Sequence, residues 1–286
     1  MNGDFGKLYV VSTPIGNLDD ITFRALSTLK SVDLIAAEDT RHTRELLNHF
    51  DIKTSTTSFN EHTDIEKAHD LVAKLKDGMN IALVTDAGTP IISDPGVRLT
   101  KLAIDEGVEV LPIPGACAAI CALVSSGIDL KAGFSFVGFI PEDTKYRKKL
   151  MENLKDETRV MIYYISSHNL KKDLKLLADT FGEDRYASLS RELTKKYEET
   201  IRGKLIDICK SEEKREPRGE YVIVVDGIDK RVLRDRDINR WMDVSIEDHL
   251  KIYIDKGFDE KEAMKKVAKD RDLKKNDIYK MLKVRS

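Results

Sequence analysis

The chain has 286 residues, long enough for two domains of ordinary size, and with 41% hydrophobic residues it can bury a sizeable core. A net charge of −2 argues against a dedicated nucleic-acid coat protein, while leaving room for a local basic patch. Charged residues reach 34% and glutamine is absent, a bias shared by thermophile proteins and by chains from genomes of skewed composition.

Taken in chain order, apolar periodicity predicts alternating strands and helices. LYVVS (8–12) reads as a strand, followed by a helix with Thr22 as its cap and Phe23, Leu26 and Leu29 along one face. Strands at 32–37, 81–84 and 108–113 alternate with helices at 43–50, 65–78, 97–107 and 116–127, two of which end at Gly78 and Gly127. Such alternation implies a parallel sheet covered on both faces. The pattern pauses near 128–135. A second series then reads as strands at 134–139, 159–165, 186–190 and 221–225 with a helix at 170–182. The tail from Ile228 holds 17 Lys and Arg against 13 Asp and Glu and has no strand signal beyond Val232-Leu233. It fits helices at 245–256, 259–269 and 274–283, the second opened by Asp259 and Glu262 as an acidic capping box. The expected class is α/β: domains at 1–130 and 131–227, and a small all-α extension at 228–286.

Cys117, Cys121 and Cys209 form no CxxC pair, which predicts free thiols in a reducing compartment. The opening MNGDFGKLYVVS lacks the features of a signal peptide, and the longest apolar stretch, 116–124, falls short of the ~20 residues of a membrane span. A cytoplasmic location without membrane contact is expected.

Three loops rich in Gly, Pro and small polar residues follow predicted strands: STPIGN (12–17), TDAGTPIISDPG (85–96) and PGACAA (114–119). Ligands of parallel α/β sheets bind beyond the carboxyl ends of the strands. Glycine lets the backbone approach a ligand, and proline sets the loop shape beforehand. One such loop is usually a turn; three at one edge mark a ligand site. Asp86 can accept hydrogen bonds from a ribose, an amine or its own loop. The chain has neither GxGxxG nor GxxxxGK[ST], so it lacks the phosphate cradles of Rossmann proteins and Walker ATPases. A ligand without phosphates is preferred, and S-adenosylmethionine, with its ribose, carboxylate and sulfonium, fits.

TPIGNLDDITFRAL, AEDTRHTRELL, TDAGTPIISDPG and PGACAAICALVSSG, in this order and spacing, resemble the ribosomal RNA small subunit methyltransferase I family of the tetrapyrrole methylase superfamily. FVGFIP, RELTKKYEE and GEYVIVV extend the similarity through the second domain. The resemblance implies a two-domain homodimer of the tetrapyrrole methylase type, with S-adenosyl-L-methionine in the cleft between the domains. It also implies methyl transfer to the ribose 2′-oxygen of a cytidine in the decoding region of 16S rRNA, with the small ribosomal subunit as partner. Carried over by motif, the cofactor residues are Pro14, Asp86, Ala87, Gly88, Thr89, Ser93, Ala116, Cys117 and Ala118, with Ile165 from the second domain. The chain departs from the family at Cys117, where PGPSAA has serine. It departs again at Ile165-Ser166-Ser167-His168-Asn169, which stands for ESPHR without its acid and arginine. FNEH (59–62) keeps only part of the usual pattern.

Methyl transfer is an in-line displacement, and a ribose hydroxyl must lose its proton to some acceptor. The catalytic candidates are Asp39 and Arg41 of AEDTR and Glu192 and Lys195 of RELTK. An acid is expected to take the proton, with Lys195 or Arg41 orienting phosphate or stabilising the alkoxide. An ion pair that holds a loop is the competing reading for each. His42 and His62 read as surface residues and His168 as a helix cap. Cys117 and Cys121 share a helix face, with packing as their default role. No His/Cys/Asp cluster has metal spacing, so no metal site is expected. TKYRKK (144–149) and KREPR (214–218) read as solvated basic faces within reach of RNA. The last two helices point Ala263, Val267, Leu273, Ile278 and Leu282 inward and carry Lys274, Lys275, Lys280 and Lys283. They resemble the family's helix-turn-helix-like extension; a helical cap that only packs is the alternative. The rival functions are a small-molecule (tetrapyrrole-type) methylase, a protein side-chain methylase, and a nucleic-acid-binding protein without catalysis.

Overall fold

The computed structural model describes residues 5–60, 64–93 and 96–283; His62 and residues 94–95 of the second loop lie outside the described residues. In chain order the first series is β1 (Leu8–Val11), α1 (Phe23–Ser31), β2 (Leu34–Ala37), α2 (Thr40–His49), β3 (Thr56–Ser58), α3 (Asp64–Lys76), β4 (Ile81–Val84), α4 (Gly96–Asp105), β5 (Val110–Ile113) and α5 (Ala118–Ser125). The second is β6 (Phe134–Phe139), α6 (Thr144–Leu154), β7 (Val160–Ser166), α7 (Leu170–Phe181), β8 (Tyr186–Arg191), β9 (Glu199–Lys204), α8 (Leu205–Glu213) and β10 (Glu220–Val225). Four helices follow: α9 (Lys230–Asn239), α10 (Ile246–Asp255), α11 (Glu260–Asp270) and α12 (Lys275–Lys283). Met1–Glu152 with Val160–Asp226 form one compact unit, and Asn153–Arg159 with Gly227–Ser286 form another.

The first sheet has the order β3-β2-β4-β1-β5, with every pair parallel. Apart from the polar edge strand β3, its strands are short apolar runs because both faces are covered. Successive side chains leave on opposite sides. Leu8, Ala36, Ile81 and Leu83 pack under Leu71, Leu75 and Leu99 of α3 and α4. Val11, Ile35, Ala37, Ala82 and Val84 pack under Ala25, Leu29 and Leu47 of α1 and α2. The Thr22 hydroxyl accepts the Ala25 N–H at 3.1 Å and caps α1 as expected. Phe23 does not share the inward face: it is 92% exposed. The buried stripe runs through Ala25, Thr28 and Leu29, and Phe23 stands about 200° round the axis from Ala25.

The second sheet, β6-β7-β10-β8-β9, pairs β6 with β7 in parallel and is otherwise antiparallel. Its β9 and the helices α6 and α8 had no clear apolar period, and neither did β3 or α9. In α6 only Arg147 and Met151 are buried. The link between the sheets is α5, whose Ala119, Ala122 and Leu123 pack on Val160, Ile162, Val222 and Val224.

In the helical unit Ala263, Val267 and Ile278 are fully buried and Leu282 packs against them, as the spacing predicted. Leu273 does not: it sits in the turn between α11 and α12 and is 37% exposed. Val232-Leu233, the apparent strand signal, lies within α9. Asp259 accepts the Glu262 N–H at 2.8 Å, completing one half of the capping box. His249 is buried, stacked on Trp241 at 3.5 Å, with its Nε2 3.2 Å from Asp270 and its Nδ1 accepting from Arg271. Among the described residues no helix is long and apolar enough to cross a membrane, and the three cysteines are free thiols.

Leu71 is fully buried beneath the first sheet. Leu71→Ala should cost about 2–5 kcal/mol, read as a lowered midpoint in urea denaturation.

Candidate active site

The order β2-β4-β1-β5, all parallel, brings four chain segments out at one rim. Three are the glycine-rich loops; the fourth is Glu38-Asp39 after β2. Short hydrogen bonds tie them together. Thr13 and Gly88 exchange backbone bonds of 2.9 and 3.2 Å, and the Thr13 hydroxyl donates to the Thr85 carbonyl at 3.2 Å. The Ser12 hydroxyl donates to Thr89 Oγ1 at 3.0 Å, and that hydroxyl donates to the Ala116 carbonyl at 2.9 Å. One relay therefore joins all three loops. The close approach requires small residues: a Cβ on Gly115 would lie 2.8 Å from that of Ser12. Gly88, at φ +85°, takes a conformation that side chains disfavour.

The opposite wall comes from the second sheet. Antiparallel pairing of β7 and β10 sets Glu220 against Ser166, so the start of β10 lies beside the end of β7. Ile165–Ser167 and Gly219–Val222 thus face the loops of the first sheet across a cleft of about 470 Å³. Its apolar lining includes Ile15, Ile92, Phe139, Tyr164, Leu193 and Val222. Its charged lining among the described residues is Glu38, Asp86 and Glu220, without a lysine, arginine or histidine. Both walls hold strained backbone, with φ +80° at Ile91, +68° at Ser93, +50° at Glu192 and +66° at Thr194. Such conformations cost of order 1–3 kcal/mol each and persist where surrounding structure enforces them.

Of the residues singled out for a cofactor, Asp86, Ala87, Gly88, Thr89, Ser93, Cys117, Ala118 and Ile165 line this cleft. Pro14 is buried in the first loop, and Ala116 contributes the carbonyl that receives Thr89; neither lines it. Cys117 is the N-cap of α5 and makes no side-chain cap bond. The Tyr164 hydroxyl lies beside the Cys117 and Cys121 thiols, and its pKa is pushed up to about 12, first by burial and then by Cys117.

The four catalytic candidates lie behind or beside the lining. Asp39 caps α2, accepting the Arg41 N–H at 2.8 Å, and Arg41 grips both its carboxylate oxygens at 3.2 and 2.7 Å. That fork, followed by the backbone bond, lowers the Asp39 pKa to about 2. Glu192 accepts from the Glu220 N–H and from Lys195 Nζ, each at 3.0 Å, and Lys195 also donates to Glu220 at 2.7 Å. Burial works against the charge on Lys195, but the bonds to Glu220 and Glu192 outweigh it, and its pKa is raised. Burial likewise opposes the charge on Glu192, and Lys195 with the Glu220 N–H holds its pKa below the usual value. Asp86 is shifted the other way, upward, chiefly by burial, against the Asp39 N–H that donates to it at 3.0 Å. His42 and His168 do not line the cleft.

Sequence reasoning missed Glu38, Tyr164, Ser166, Ser167 and Gly219–Val222. Glu38 stood in AEDTR beside two residues that drew attention first. Gly219–Val222 sit at the amino end of β10, whereas the glycine-rich loops that the composition marks follow carboxyl ends.

This arrangement of a parallel sheet, a mixed sheet and a cleft is that of a known class: residues 7–209 match the family of Tetrapyrrole (Corrin/Porphyrin) Methylases. Solved structures share the fold at low identity. A diphthine synthase is 14% identical with TM-score 0.61, covering 78% of this chain and 90% of that one. Uroporphyrin-III-C-methyltransferase from Thermus thermophilus is 18% identical with TM-score 0.56, covering 77% and 94%. Nearer in sequence is Ribosomal RNA small subunit methyltransferase I of Bacillus subtilis (strain 168), 45% identical over 96% of this chain and 94% of that protein. The protein of the same name from Haemophilus influenzae is 49% identical over 78% and 79%. The chain belongs to the ribosomal RNA small subunit methyltransferase I family, within the tetrapyrrole methylases.

Thr89→Val keeps the shape of residue 89 but breaks the relay at both ends. It should destabilise the fold by about 1–3 kcal/mol in chemical denaturation. For Asp39, a pKa lowered from 3.8 to about 2 means stabilisation that is complete above 3.8 and lost as the pH falls toward 2. The gap in melting temperature between the wild type and Asp39→Asn should close over that window.

Proposed function

We propose that the protein is an S-adenosyl-L-methionine-dependent methyltransferase that 2′-O-methylates a cytidine in the decoding region of small-subunit 16S rRNA. The observation that carries the donor is the charge of the cleft: three carboxylates line it, with no basic residue among the described lining. Acids without bases suit a ligand bearing a sulfonium and an amine and disfavour one rich in phosphate. When bound, S-adenosylmethionine supplies an electrophilic methyl group on positively charged sulfur. Asp86, Ala87, Gly88, Thr89, Ser93, Cys117, Ala118 and Ile165 would hold it, while Pro14 and Ala116 shape the loops that do so. The apolar walls exclude water, which would compete with the hydroxyl for the methyl group. The volume of about 470 Å³ suits a small molecule.

The RNA half of the reading rests on the names of the relatives and on two cationic surfaces. In α6, Lys145, Lys148 and Lys149 are exposed on neighbouring turns beside exposed Tyr146, and none of the three forms an ion pair with a described residue. The helical unit carries exposed Lys274 and Lys280 at and within its last helix. Phosphate contacts of this kind position a protein on RNA without reading sequence. The cleft lies between two α/β halves that meet near residue 130, and the protein acts as a soluble homodimer on an assembled subunit in the cytoplasm.

Small ribosomal subunits lacking the modification, incubated with the protein and labelled donor, should yield 2′-O-methylcytidine on nucleoside mass spectrometry. Label in a porphyrin or a protein side chain, with unmodified subunits left unlabelled, would overturn the assignment. Asp86→Asn should weaken donor binding about tenfold or more in calorimetry, which is ~1.4 kcal/mol.

A further inference from the structure

We propose that Glu38 takes the proton of the substrate hydroxyl. The proposal deepens the methyl-transfer reading and rests on it. Register places the residue: Ala37 of β2 pairs with Val84 of β4, so the next residue, Glu38, meets Thr85 at the mouth of the cleft. The carboxylate is held from one side. The Thr85 hydroxyl donates to Oε2 at 2.6 Å and the Asp86 N–H to the same oxygen at 3.4 Å. The Asp39 N–H returns a bond to Asp86 Oδ1 at 3.0 Å, which locks the ends of β2 and β4 together. The other oxygen, Oε1, accepts no hydrogen bond from the described residues, and the side chain lines the cleft.

Asp86 apart, the other carboxylates nearby are each paired with a cation, which Glu38 is not among the described residues. Both oxygens of Asp39 are taken by Arg41. Glu192 is held by Lys195 and a backbone N–H, and Glu220 by the same lysine. Lys195, donating to two carboxylates, is a cation rather than a base. Asp86 also faces the cleft but sits within the loop assigned to the donor, so the two acids predict different defects.

In the step itself the hydroxyl oxygen forms a bond to the methyl carbon. The carbon–sulfur bond breaks with its electron pair staying on sulfur, and the hydroxyl proton passes to Glu38, which later returns it to water. A held carboxylate with one free oxygen is built for this, since the Thr85 bond fixes its plane without consuming the accepting atom.

The test is Glu38→Gln, which can still accept from Thr85. Single-turnover methylation of small subunits should fall about 100-fold or more. Donor affinity by calorimetry should fall far less than in Asp86→Asn, and subunit binding should stay unchanged. Asp86→Asn should instead raise the donor Kd. Full activity in Glu38→Gln would overturn the proposal. So would an equal loss in Thr85→Val, because Glu38 would then act only as an anchor for residues 85–86. If the wild type itself leaves subunits unmethylated, the functional reading fails rather than this one.

Discussion

Parallel pairing of four very short strands is the constraint on which the site depends. β2, β4, β1 and β5 have four residues each, so each spans only about 13 Å. Buried on both faces, they are held in register by the alternation of Leu8 and Ile81 on one side with Val11 and Val84 on the other. A slip of one residue would exchange those faces and also move Glu38 away from Thr85. The packing that stabilises the sheet is therefore the packing that aligns the acids and glycines at its rim. The hydroxyl relay from Ser12 through Thr89 to Ala116 works only because β1 lies between β4 and β5.

The second wall obeys a different rule. An antiparallel neighbour brings the beginning of one strand to the end of another, and this is how Glu220 and Tyr221 reach the cleft beside Ser166. Lys195 stands just outside and balances Glu192 and Glu220. The chain thus keeps its positive charge behind the lining and leaves carboxylates facing inward. A carboxylate stripped of water favours a cationic neighbour, and the upward shift at Asp86 reports that partial loss of solvent.

The glycine and proline loops could be read from the sequence because their composition reports a local backbone need: positive φ at Gly88, close approach at Gly115. Apart from β3, the strands and amphipathic helices of the first half were equally plain, since helices there bury one face and strands are covered on both. What escaped was whatever depends on pairing between distant segments. Glu38 gains its meaning from a neighbour 47 positions away, and Gly219–Val222 from the direction of a partner strand. Phe23 and Leu273 show the converse, apolar residues that fit a period yet fall beyond the edge of the face they were assigned to. The AEDTR and RELTK motifs were visible as charge, but only the three-dimensional arrangement separates an acid held by a cation from one that faces the cleft without one.

Gly16 and Lys195 belong to opposite walls, the first to the loop after β1 and the second to the segment after β8. They touch so closely that a Cβ on Gly16 would lie 2.3 Å from Lys195 Cγ. The lysine stem rests in the space a side chain would fill, like a strap drawn through a notch. A single methyl there would have to push that stem aside, and with it the ammonium that Glu192 and Glu220 share across the mouth of the second wall.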